Sequence, residues 1–77
     1  MAIKVGKVKK LDSLTAEILL EGDTRGELTR LETNHAAAEA VAKAGIHAPA
    51  IVPGIKGTQY NKKTERYERL VRFKSTA

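Results

Sequence analysis

The chain has no cysteine and no tryptophan, and it has only two tyrosines and one phenylalanine among its 77 residues. Without cysteine, a disulfide framework, a thiol nucleophile and a cysteine-ligated zinc site are all excluded. No uncharged apolar run approaches the roughly 20 residues that a membrane span needs. Residues 1–20 also lack the apolar core of a signal peptide. We therefore expect a protein that neither crosses nor is exported through a membrane.

The length is short for a catalytic protein with a deeply buried active site. A chain of this size buries only about 60% of the surface that it exposes when unfolded, so its core is thin. No internal repeat, low-complexity tract or linker is visible. We therefore predict that residues 1–77 form a single basic α+β domain.

Charge is distributed unevenly along the chain, which carries a formal net charge of +5. Residues 1–10 hold four lysines and no acid, residues 11–39 hold seven acids against two arginines, and residues 40–77 hold eight bases against two glutamates. If the two basic ends lie side by side in the fold, they form one cationic face. Such a face attracts phosphate backbones or acidic proteins without distinguishing between them, and the alternative is a merely solvated surface.

The first segment, residues 2–9, is predicted to be a strand. Ile3 and Val5 fall on one face, and most of the lysines fall on the other. Gly6 interrupts this alternation, so we expect a β-bulge that returns Val8 to the apolar face.

The second segment, residues 14–21, alternates as a half-buried strand does, although Ser13 and Gly22 would also fit the ends of a short helix. A type I turn at residues 23–26 and a returning strand at residues 28–33 would make a hairpin. Because a hairpin accounts for both flanks, we favour the strand.

An alanine-rich helix is predicted over residues 35–44, where helix propensity is near its maximum. Asn34 or Thr33 is expected to cap its start, and Gly45 is expected to end it in a left-handed conformation. Val41 is its one bulky apolar residue, so its backbone can approach a sheet or another subunit closely. We interpret the helix as structural rather than as a contact surface.

The last third of the chain allows two interpretations, after a type II turn expected at residues 52–55. In the first, strands flank a loop at residues 61–64, with Tyr67, Val71 and Phe73 pointing inward. In the second, Asn61 caps a helix that is supported by Glu–Arg pairs four residues apart. The tyrosine, valine and phenylalanine content favours the strands.

Signatures of enzymes and metal sites are nearly absent. The segment from Gly22 to Gly26 lacks the Lys-Ser/Thr pair of a phosphate-binding loop and fits a turn better. His35 and Glu39 have the spacing of two metal ligands on a helix, but two ligands do not make a zinc site. We therefore expect no enzymatic activity, no metal and no cofactor.

The three aromatic residues all lie in the most basic segment, interleaved with lysines and arginines. Cations that meet phosphates and rings that stack on bases are the two components of a nucleic-acid surface. Phe73 shares the parity of Val71 and is expected in the core, whereas Tyr60 is the candidate for an exposed stacking ring. The candidate nucleic-acid-binding residues are Lys7, Lys9, Lys10, Tyr60, Lys62, Lys63, Arg66, Arg69 and Arg72.

The sequence thus predicts an α+β fold in which a small antiparallel sheet of three to five strands, in the order β-β-β-α-β(-β), packs against one alanine-rich helix. The predicted function is non-enzymatic binding of a polyanion, DNA or RNA, by a cytoplasmic protein. The alternative is a small structural subunit or inhibitor that binds an acidic protein surface, forms a homo-oligomer or joins a larger assembly. A virion component, a ribonucleoprotein subunit or a phage-encoded antagonist of a host complex would fit that alternative.

Overall fold

A computed structural model of the chain describes residues 3–53 and 57–76. Five antiparallel strands form one sheet, and one α-helix packs on one side of it. This arrangement confirms the predicted α+β class. In chain order the elements are β1 (Lys4–Lys10), β2 (Thr15–Gly22), a 3₁₀ helix (Gly26–Thr29), α1 (Leu31–Lys43), β3 (Pro49–Ile51), β4 (Gln59–Asn61) and β5 (Arg66–Ser75).

The order of the strands keeps the two basic ends of the chain apart. β2 pairs with β1 on one side and with β5 along its whole length on the other. The other edge of β5 pairs with β4 near its start and with β3 near its end. The lysines of β1 and the arginines of β5 are therefore separated by the acidic strand β2, rather than lying side by side.

β1 contains the bulge that its glycine predicts. Its pairing with β2 shifts register between Val5 and Val8, and Val8 then lies opposite the core residue Ile18. A Cβ atom on Gly6 would lie only 2.8 Å from the carbonyl oxygen of Leu19, so the bulge brings the two backbones close together. The absence of a side chain at this position is what allows that approach.

The core lies between α1 and one face of the sheet. Small residues dominate the helix side of the interface, where Thr33, Ala37 and Val41 are buried at four-residue spacing. The helix can therefore lie close to the strands, as its alanine content predicts. The remaining core side chains are Ala16, Ile18 and Leu20 of β2, Val71 and Phe73 of β5, and the loop residues Leu28 and Ile46.

The predicted strand at residues 28–33 is wrong, because this segment is helical. The Thr24 hydroxyl accepts from the backbone N–H of Glu27, and the Glu27 carboxylate accepts from the N–H groups of Asp23 and Thr24. This reciprocal arrangement, which has the form of a capping box, starts the 3₁₀ helix and turns the chain away from the sheet. Leu28 then enters the core directly from the 3₁₀ helix.

The start of α1 also differs from its prediction, because the helix begins at Leu31 and not near residue 35. Neither expected capping residue serves as the cap. Thr33 donates its hydroxyl hydrogen to the Glu27 carbonyl, and the Asn34 side chain accepts from Arg69. Arg30, in extended conformation, occupies the N-cap position without a side-chain hydrogen bond.

The end of α1 agrees with its prediction. Gly45 has a φ of 109°, in the region that favours glycine. Its N–H donates to Ala42, and the N–H of Ile46 donates to Val41, which is the hydrogen-bond pattern of a Schellman motif. Ile46 and Val41 are both buried, so the helix end is joined to the core.

The C-terminal segment forms the strands that its aromatic and β-branched content predicts. β4 and β5 make a hairpin whose loop covers residues 62–65, and Val71 and Phe73 are buried on the helix side. Tyr67 packs against the same core. The type II turn expected at residues 52–55 lies partly outside the described residues. Among those described, no helix is long and apolar enough to span a membrane.

Candidate nucleic-acid interface

The sheet surface opposite α1, which we call the open face, carries most of the exposed cations of the strands. Cross-strand pairing assigns its residues, because directly opposed residues share a face. Leu19 and Leu70 lie at its centre and are 36% and 37% exposed, so no helix of the described residues covers them. Its cations are Lys4, Lys7 and Lys9 of β1 and Arg66, Arg72 and Lys74 of β5, and its acids are Glu17, Glu21 and Glu68.

One row of the open face runs from Lys9 through Glu17 to Arg72. Arg72 donates from both Nη2 and Nε to Oε2 of Glu17, at 2.9 and 3.3 Å. The Glu17 side chain is only 14% exposed, so its charge is compensated within the row and contributes little to the surface potential. Lys9, on the other side of Glu17, is exposed to solvent.

A shallow pocket of about 340 Å³ lies at the bulge of β1 on the open face. Its apolar lining consists of Leu19 and of Val5, which pairs with the core residue Leu20. Lys4, Lys7 and one acid, Glu21, also line it. The bulge thus groups two lysines of β1 around one depression, which is an arrangement suited to an anionic group with an apolar neighbour.

The remaining predicted lysines lie away from the open face. Lys10 is opposite the core residue Ala16, and its Nζ atom lies 3.4 Å from the position that a Cβ atom on Gly45 would occupy, at the end of α1. Lys62 and Lys63 are exposed in the β4–β5 loop. This loop extends from the end of the sheet where Lys4 lies, so it is remote from Lys9 and Lys10.

The predicted arginines of β5 make contacts within the molecule. Arg66 Nη2 lies 3.7 Å from Oδ1 of Asp23. Arg69 points to the helix side, where Nη1 donates to the Leu28 carbonyl at 2.8 Å and to Oδ1 of Asn34 at 2.7 Å. Arg69 therefore joins β5 to the 3₁₀ helix and to α1, and the structure gives it a structural role.

Tyr60 lies at the outer edge of the sheet on the helix side. Its ring packs edge-on against Tyr67, with centroids 5.2 Å apart and an interplanar angle of 67°. The guanidinium carbon of Arg25 lies 5.8 Å from the centroid of the Tyr67 ring. Tyr60 is 50% exposed, whereas Phe73 is buried, as predicted for both.

Three residues of these surfaces were not among the sequence candidates: Lys4, Lys74 and Arg25. Lys74 could have been found by strand parity, because it lies two residues from Arg72. Lys4 shares a face with Lys9 only because of the bulge between them, so simple alternation does not group the two. Arg25 lies in a turn, and no local pattern indicates that it contacts a tyrosine 42 positions later.

The described residues contain no group of three or more His, Cys, Asp or Glu side chains that could hold a metal ion. No family model, no curated protein and no solved structure matched the chain in our comparisons. The fold defines a small α+β domain with one helix-covered and one open sheet face, and its function has to be inferred from those surfaces.

Proposed function

We propose that the protein is a non-enzymatic nucleic-acid-binding protein that holds a phosphate backbone against its open face. The observation that carries the proposal is the set of exposed lysines that β1 presents on this face, with no acid in the strand. Lys4, Lys7 and Lys9 belong to this set. Phosphate contacts by such side chains supply affinity without sequence specificity.

The acids of the open face offset only part of this charge, and Glu21 lies directly opposite Lys4. Glu17 is paired with Arg72 and is mostly buried. Glu68 accepts a hydrogen bond from the side-chain amide of Asn61 at 3.1 Å. Two exposed cations lie near the Glu17–Arg72 pair: Lys9 lies directly beside Glu17 on β1, and Lys74 lies two residues along β5 from Arg72. A polyanion that reaches this pair therefore meets positive charge on two strands.

The test is fluorescence anisotropy with a labelled duplex and a labelled single strand, at about 50 and 200 mM salt. The variant Lys7→Gln with Lys9→Gln removes two open-face charges. Its matched control, Lys10→Gln with Lys43→Gln, removes the same charge on the helix side. Each phosphate contact contributes about −0.9 to the log–log salt slope on duplex, so the open-face variant should flatten the slope by about 1.8 and the control should not.

Absence of binding to both nucleic acids at the lower salt would refute the proposal, because electrostatic association is strongest there. Equal losses in the two double variants would refute the assignment to the open face. In that case net charge alone, and not its placement, would govern the affinity.

A protein-contact role is the second candidate, and one observation favours it. Leu31, at the start of α1, is 70% exposed, which is unusual for a large apolar side chain on a helix. If nucleic acid does not bind, light scattering after size-exclusion chromatography tests this candidate. An oligomer that Leu31→Gln dissociates would support it, and a monomer unaffected by the change would count against a homo-oligomeric form.

A further inference from the structure

One row of the sheet places its two tyrosines together at the end that carries the β4–β5 loop. In this row Gly22 of β2 lies opposite Tyr67 of β5, and Tyr67 lies opposite Tyr60 of β4. Gly22 has no side chain, and a Cβ atom there would come within 3.0 Å of Leu28. The inner tyrosine therefore packs against the core, while the outer one stays half exposed.

Tyr67 is held on more than one side. Tyr60 contacts it edge-on, and the guanidinium of Arg25 lies over its ring. Both contacts are favourable for an aromatic quadrupole, and together they fix the ring that supports Tyr60. An exposed ring on a fixed support loses little side-chain freedom when a flat ligand stacks on it.

Two lysines follow Tyr60 closely in the chain, in a defined turn. Lys62 and Lys63 follow Tyr60 by two and three residues, at the start of the loop. The side chain of Asn61 accepts from the backbone N–H of Lys63 at 2.9 Å, and Glu65 closes the loop in the left-handed conformation with a φ of 57°. The loop therefore presents two exposed cations within three residues of an exposed aromatic residue.

We infer that Tyr60, supported by Tyr67 and Arg25, is a stacking site for an unpaired base of a single-stranded nucleic acid, whose phosphates contact Lys62 and Lys63. The inference rests on the proposed function and adds to it a site for single strands at this corner, apart from the open face. A base within a duplex is already stacked between its neighbours, so only an unpaired base can stack on a ring at a sheet edge. A ring beside cations is the arrangement that binds such bases.

The experiment compares oligo-dT with an abasic oligonucleotide of the same length, about ten nucleotides, in the presence of the full chain. Both carry the same phosphates, and only oligo-dT has bases. We expect oligo-dT to bind about 5- to 150-fold more tightly, as one stacked base would give. A parallel titration with oligo-U shows whether the base can come from RNA as well as from DNA. Tighter binding than that of the abasic strand, by either oligo-dT or oligo-U, supports the inference.

Two variants of Tyr60 complete the test. Tyr60→Leu keeps apolar bulk but removes the ring, and should abolish the preference for oligo-dT over the abasic strand. Tyr60→Phe keeps the ring and should retain the preference. Because the chain has no tryptophan, its emission comes from its two tyrosines, and oligo-dT but not the abasic strand should quench it in the wild-type protein.

The failures are distinguishable. If oligo-dT and the abasic strand bind the wild-type protein equally and quench it equally, the stacking site is refuted while phosphate binding stands. If neither strand binds and the duplex does not bind, the proposed function fails with it. If circular dichroism shows that Tyr60→Leu does not fold, the stacking site is tested on the wild-type protein alone. The tests are then the ratio of its affinities for oligo-dT and the abasic strand and the quenching of its tyrosine emission.

Discussion

The arginines and lysines of this basic protein have different surroundings. Arg66, Arg69 and Arg72 each contact an acid, an amide or a carbonyl elsewhere in the chain. The planar guanidinium matches such acceptors better than an ammonium group does. Asn34 lies 35 positions from Arg69 in the chain, and Glu17 lies 55 positions from Arg72. No local sequence pattern could therefore have shown these contacts. Lysines, in contrast, remain the better candidates for phosphate contacts.

The contacts of Arg69 predict that this side chain contributes to the stability of the fold. Arg69→Ala should lower the free energy of unfolding by about 1.5–3 kcal/mol, because it leaves the Leu28 carbonyl and the Asn34 amide without a charged donor. Urea denaturation measures the change. Lys63→Ala, at an exposed loop position, is the control and should stay within about 0.5 kcal/mol of wild type. Equal stability of the two variants would contradict the structural role of Arg69.

Among the secondary-structure elements, the alternation of apolar and polar residues predicted the strands well. It failed where side chains form hydrogen bonds with nearby backbone N–H groups. Residues 15–22 and 66–75 form strands because their apolar residues repeat every second position against one helix. Residues 28–33 carry apolar residues too, but the Thr24–Glu27 pair starts a helical turn just before them. The consequence is that Leu28 enters the core from a 3₁₀ helix and Leu31 faces solvent.

Caps were the least predictable feature of the helix. Both Thr33 and Asn34 have good capping side chains, yet both are used in contacts with other elements. Gly45 was predictable, because its role depends on its own backbone conformation and not on a distant partner. The same distinction separates Gly6, whose bulge was predicted, from Arg25, whose contact with Tyr67 was not.

The β1–β2 loop provides a prediction on pH. The backbone N–H of Leu14 donates to Oδ1 of Asp12 at 2.8 Å, and this hydrogen bond holds the pKa of Asp12 below its usual value. A carboxyl whose pKa is lower in the folded state stabilises the fold above its unfolded pKa of about 3.9. That stabilisation is lost as pH falls through the folded pKa.

Urea denaturation between about pH 5 and pH 2 measures this loss. In Asp12→Ala, which has no carboxyl to protonate, the fall in stability over that range should be shallower than in wild type. A fall of the same steepness in both proteins would show that the Asp12 hydrogen bond does not contribute to the pH dependence.

At the scale of the whole molecule, the two sides of the sheet differ in both charge and burial. The covered side carries Glu32 and Glu39 of α1 together with Lys43 and Lys10, and the open face carries Lys4, Lys7 and Lys9 of β1. Under the proposed function, a polyanion is expected to approach the open face. Because α1 and the core lie on the other side, binding requires no opening of the packed interface.

Binding to the folded chain alone should stabilise it. At a free oligonucleotide concentration of about 100 times Kd, the gain is about 2.7 kcal/mol, which for a domain of this size corresponds to a rise in Tm of roughly 10–20 °C. Differential scanning fluorimetry with and without oligo-dT at about 50 mM salt measures the rise, which should disappear at about 500 mM as the phosphate contacts are screened.

Lys7→Gln with Lys9→Gln should show a smaller rise than Lys10→Gln with Lys43→Gln. A rise that persists at high salt would point to a contact that does not involve phosphates, and an oligonucleotide that lowers Tm would show that it binds the unfolded chain instead.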